Sequence, residues 1–150
     1  MKVIARHNET ITPQEGDFVV QKGEHLENVG REASSYLWFI VKHYHDLKDD
    51  EIYSFRQARE HEHQIGVFNF ECAQNGAPHH GGLEIKRLAD LIDLDIPEKI
   101  QFTAGAQFDV SGYQIKQRPI EWYVRAFDVS MSEPQAPWIL ERLWKYIFDL

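Results

Sequence analysis

The order of elements predicts an α/β fold in one domain. Three observations carry this. Two short apolar runs, KVIAR and DFVVQKG, each end in a polar or glycine turn. A long run with helical apolar spacing follows them, and then the strand-like EIYSF. Strand, strand, helix, strand is the order that layers helices on a mainly parallel sheet. The chain's 150 residues suit one core, and no repeat, low-complexity tract or linker divides them.

KVIAR reads as a buried strand closed by the turn HNET, and DFVVQKG as a second strand. Across residues 29–46, Ala33, Tyr36, Leu37, Ile40, Val41 and Tyr44 recur on one helical face. Lys42, His43 and His45 fall in its last turn, where cations suit the helix dipole. EIYSF is the third strand and VFNF a weaker fourth. AQNGAPHHGG is a loop by composition, LEIKRLADLIDL an amphipathic helix, and QFTAGAQFDVS an extended segment broken at Gly105. Pro119 opens the helix IEWYVRAFDV and Pro137 the helix WILERLWKYIFDL, at the first-turn positions that proline favours.

A net charge of −8 opposes binding to nucleic acid or to anionic membranes over most of the surface. It leaves room for a small basic pocket. The lone cysteine, Cys72, excludes an internal disulfide and fits a reducing compartment. The start, MKVIARHNET, lacks the apolar segment of a signal peptide, and no run reaches the length of a membrane span. The expectation is a soluble, cytoplasmic protein.

Five groups of residues offer chemistry. Arg6, His7, Asn8 and Glu9 directly follow the first strand, at the sheet edge where open α/β proteins bind ligands. The plain alternative is a polar turn, which spacing alone favours. Asn28, Gly30, Arg31 and Glu32 stand at the start of the long helix. There unsatisfied amides, the dipole and a guanidinium fork suit an anion, and Gly30 admits close approach. An ordinary helix start capped by Asn28 explains the same letters, and spacing alone favours it too.

Glu60-His61-Glu62-His63 follows EIYSF, Arg56 and Gln57. In extended chain His61 and His63 share a face and suit a divalent metal, with a third ligand from elsewhere, such as His79 or His80. A solvated charged loop is the simpler reading, and the helical H-E-x-x-H signature is absent. Gly105-Ala106-Gln107-Phe108-Asp109 combines a tight turn with a carboxylate that serves as base, metal ligand or cap. Last, Glu141 lies on the final helix in a stripe with Trp138, Trp144 and Phe148. Such a carboxylate is paired or functional, or reaches to water from the stripe's edge. Arg142 is assigned to another face, which leaves Arg31, Arg6 or Arg118 as partner.

Taken together, R-x-N-E at Arg6 to Glu9, N-x-G-R-E-x-x-x-Y at Asn28 to Tyr36, Gln57 with the acidic-His stretch, G-A-Q-F at Gly105 to Phe108 and E-R-L-W at Glu141 to Trp144 resemble one family. It is a largely uncharacterised family of short glycosyltransferase-like proteins. The resemblance implies a compact three-layer sandwich, a reduced form of the A-type, nucleotide-sugar-binding fold. It implies transfer of a sugar from a nucleotide-sugar donor to a glycan or other acceptor. Arg6, Asn8 and Glu9 would lie near the nucleotide, and Asn28, Gly30, Arg31 and Glu32 near sugar or phosphate. Gln57 would bind substrate, and Gln107 would lie on the acceptor side. Glu9, Asp109 and Glu141 are the carboxylates implied for catalysis. A manganese or magnesium ion on the diphosphate is the implied cofactor. No D-x-D follows EIYSF; Glu60, His61, Glu62 and His63 stand in its place. The chain is also short for a complete transferase of this kind, which implies a reduced acceptor region or one supplied by another subunit. The alternative is a non-catalytic binding module that keeps the fold and pairs Arg31 and Glu141 structurally.

Overall fold

The computed structural model describes residues 1–58, 65–74 and 82–150. Strands β1 (Lys2–Arg6), β2 (Phe18–Gln21), β3 (Ile52–Gln57) and β6 (Phe108–Ser111) form a sheet in the order β2-β1-β3-β6. β1 runs parallel to both neighbours, with Ile4 opposite Val19 and Arg56, while β6 is antiparallel to β3. β4 (Phe70–Ala73) and β5 (Lys99–Phe102) make a separate antiparallel ribbon.

Helix α1 (Arg31–His43) carries the chain from β2, on one side of β1, to β3 on the other. The direction of strand succession therefore reverses between β1 and β3. At that boundary the carboxyl ends of parallel strands leave a crevice.

The core follows from alternation and helical spacing. Val3, Ala5, Val20, Tyr53, Phe55, Phe108 and Val110 point to one face of the sheet, and Tyr36, Leu37, Phe39 and Ile40 of α1 cover them. The Tyr36 ring meets Phe55 edge-on at 5.0 Å. Helix α5 (Ala136–Phe148) adds Trp144, whose ring lies 5.4 Å from Phe108, and Phe148. Each such ring or aliphatic chain, fully buried, contributes about 1.5–3 kcal/mol. Helix α4 (Ile120–Ser132) packs on α1 and α5, α2 (Ile85–Leu91) packs on α5, and Trp122 of α4 donates to Ile92 O at 2.6 Å, just past the end of α2.

Several expectations need correction. Among the described residues the helices pack on one face of the sheet, so the three-layer sandwich is not formed. The other face carries Lys2, Ser54, Arg56 and Asp109 around the buried Ile4. The fourth strand is Phe70–Ala73 rather than VFNF. QFTAGAQFDVS splits into strands of two different sheets, because Gly105 (φ 88°) and Ala106 (φ 54°) turn the chain through left-handed backbone. Ser111 and Gln114 form a capping box that opens a short helix, α3 (Gly112–Ile115), where no helix is expected. Asn28 does not cap α1; Gly30 occupies the cap position, with no side-chain cap bond.

Candidate functional site

A pocket of about 150 Å³ opens at the β1/β3 boundary, against the N-terminus of α1. Three structural arms build it. The first is the end of β1. Arg6 Nε donates to Glu9 O at 2.8 Å, and the Glu9 carboxylate accepts from the amides of His7 (2.8 Å) and Asn8 (3.1 Å). The turn thus folds onto its own carboxylate. Arg6 also donates to Gln21 Oε1, which ties β1 to β2. Arg6, His7 and Glu9 line the pocket.

The second arm is the end of β2 and the start of α1. Lys22 is only 6% exposed, and its ammonium donates to Val29 O and Ser34 Oγ. Burial lowers its pKa to about 8, with Glu32 pulling the other way, so it stays charged at neutral pH. Gly30 (φ 80°) precedes Arg31, which itself has φ 50°. A Cβ on Gly30 would sit 2.7 Å from Ser130 O of α4 and 2.8 Å from Ser34 Cβ. Gly30 therefore serves helix packing, and it does not line the pocket. Arg31 lies half-exposed over the Trp138 ring, 5.6 Å from its centroid, with Nε 3.8 Å from Glu32. Asn28 Nδ2 is 3.1 Å from His7 Nε2. Lys22, Asn28, Arg31, Glu32 and Ser35 all line the cavity.

The third arm is the end of β3. The Gln57 amide donates to Gln107 Oε1 at 3.2 Å, and Gln57 Nε2 donates to Gly105 O. Gln57 and Ala58 line the pocket. Gln107 does not; with Gln57, Lys2 and Arg56 it lines a second cavity of about 280 Å³.

Of the three carboxylates expected for catalysis, Glu9 alone stands on the pocket wall, together with Glu32, which is expected to bind substrate. Asp109 lies on the polar face of the sheet, 2.7 Å from Arg56. Burial pushes its carboxyl upward, but hydrogen bonds from Arg56 and Ser54 outweigh this and hold it below its usual range. Glu141 does not line the pocket. Its side chain is 22% exposed, and burial, reinforced by Glu32, raises its pKa to about 7 against the pull of Arg142 and Arg31. Arg142 is closer than its place in the helix pattern suggests, at 3.9 Å, although its Nη1 donates to Trp138 O. Asn8 and Gly30 do not line the pocket. His61 and His63, and with them Glu60, Glu62, His79 and His80, lie outside the described residues. Among the described residues no group of three or more His, Cys, Asp or Glu side chains is arranged for a metal ion.

The sequence reading missed Lys22 and Ser35 on the wall. Lys22 carries a legible signal, a lysine between a strand and Gly23 at the carboxyl edge of the sheet. Ser35 carries none, being one serine of two in a helical turn.

Residues 79–150 match the model of a family described as protein of unknown function (DUF3431). Gln107, Asp109 and Glu141 fall inside the matched span, and the residues that line the pocket fall before it. Comparison with curated proteins and with solved structures finds no match. No helix among the described residues is long and apolar enough to cross a membrane.

Proposed function

We propose that the pocket holds the phosphate end of a nucleotide-sugar, and that the protein is a glycosyltransferase passing the sugar to an acceptor hydroxyl. One observation carries the reading: Arg6, Lys22 and Arg31 converge with the N-terminus of α1 on one pocket at the reversal point of the sheet. Three cations and a helix start make an anion site in a protein whose net charge is negative. The volume suits a diphosphate, with the nucleoside and the sugar extending beyond it.

In the transfer, the bond from the anomeric carbon to the phosphate oxygen breaks and the acceptor oxygen takes its place. The leaving diphosphate gains charge, which Arg6, Lys22 and Arg31 stabilise. The acceptor proton passes to a carboxylate. Glu9 is weakened for this by the two amides it accepts. Glu32, on the wall beside Arg31, is the better placed base. A manganese or magnesium ion would be held by His61 and His63, which lie outside the described residues, and would add its charge to that of Arg6, Lys22 and Arg31.

A second reading has its own support. Lys22 and Gln57 donate to backbone carbonyls and so hold the fold together, as a non-catalytic module would require. Thermal melts with a panel of nucleotide-sugars, with and without Mn²⁺, separate the two. Ligand at about 100 times Kd stabilises by about 2.7 kcal/mol. The transferase reading expects such a shift with at least one donor; no shift with any donor favours the structural module.

A further inference from the structure

Ser35 stands out on the pocket wall. It is 0% exposed, and its hydroxyl has no hydrogen-bond partner among the described residues. Its neighbour Ser34 is equally buried but fully used, accepting from Lys22 and donating to Val29 O. Buried hydroxyls are nearly always paired, because an unpaired one loses its water without compensation. A helical serine has an easy local remedy, the carbonyl one turn back, which for Ser35 is Arg31 O. Ser35 does not take it. Tyr36 Oη is unpaired as well, but it does not line the pocket.

We infer that the Ser35 hydroxyl is a ligand-binding group, the donor that meets a non-bridging phosphate oxygen in the pocket. The inference rests on the phosphate-binding reading above and adds to it a specific contact. The helix start, Arg31 and Lys22 supply charge to the pocket, and Ser35 supplies a short, directional donor to it. The arrangement favours a tetrahedral phosphoryl group over a planar carboxylate, since one phosphate oxygen can face Ser35 while two others face the cations.

The test is calorimetric titration of the intact chain and its Ser35→Ala variant with UDP and with inorganic pyrophosphate, together with ligand-free melts. A hydrogen bond to a charged oxygen predicts about 10- to 100-fold weaker binding of both probes by the variant. Its ligand-free melting temperature is expected to equal or exceed that of the parent, because an unpaired hydroxyl has been removed. Ser34→Ala serves as contrast and is expected to melt lower. Equal binding by Ser35→Ala overturns the inference and leaves the phosphate site standing. Weaker binding with a lower ligand-free melting temperature also overturns it, because the hydroxyl would then be structural. If neither probe binds the parent chain, the phosphate-binding reading fails, and this inference with it.

Discussion

Gly30 and Arg31 are adjacent, both with positive φ, and do different work. A Cβ at Gly30 strikes Ser130 O at 2.7 Å. Gly30→Ala is therefore expected to destabilise by about 2–4 kcal/mol, from left-handed strain plus overpacking. Gly16→Ala, with φ 87° and nothing within 4 Å, should cost only about 1 kcal/mol. Urea midpoints of the two variants check the difference. Arg31 has a side chain half in water, stacked over Trp138. Arg31→Ala should shift ligand-free stability by no more than about 0.5–1 kcal/mol. It should weaken binding of a nucleoside diphosphate by at least about tenfold. A titration showing unchanged affinity would remove Arg31 from the site. The sequence made the pair conspicuous, but it assigned the glycine to ligand approach. The contact that decides otherwise comes from α4, a hundred residues along the chain, and local spacing holds no trace of it.

Between elements, the end of β3 is locked to the turn before β6. Gln107 is 5% exposed and accepts the Gln57 amide. Gln107→Ala leaves that amide without its partner and is expected to cost about 1–3 kcal/mol in a denaturation experiment. On α5, the Glu141 pKa of about 7 stands above its ordinary value of 4.5. The native state therefore binds more proton than the unfolded chain between those values. The contribution to stability is complete below about pH 4.5 and is lost as pH rises through 7. Glu141→Gln should remove up to about 3 kcal/mol of pH dependence between pH 5 and 8 and be the more stable protein at pH 8. Stability curves with unchanged slope would show Glu141 to be better solvated than its position implies. The helices were legible in outline, because α1, α4 and α5 each carry an apolar stripe at helical spacing. The S-x-x-Q of Ser111 and Gln114 was legible too and was overlooked. Which strands pair was not legible: Phe102 and Phe108 sit in one run of letters yet belong to separate sheets, divided by two left-handed residues.

At the scale of the molecule, the sheet order puts the ends of β1, β2 and β3 beside the start of α1. Four residues expected from sequence to act together, Arg6, Glu9, Arg31 and Gln57, line one pocket as a result. Glu141, expected with them, stands outside it and acts on it through Glu32 and Arg31. The sequence could suggest that set because ligand-facing groups gather after strands and at helix starts. It could not place Asp109 on the far face, because one residue of register decides which side a strand residue occupies. Nor could it show that, among the described residues, the helices cover one face of the sheet. The central claim, a phosphate site at the start of α1, is tested most directly by a ¹H–¹⁵N titration of the whole chain with a nucleoside diphosphate. The account predicts saturable shifts at the amides of Arg6, Lys22 and residues 31–35. Shifts confined to the opposite face, around Lys2, Arg56 and Asp109, or no shifts at all, would contradict it.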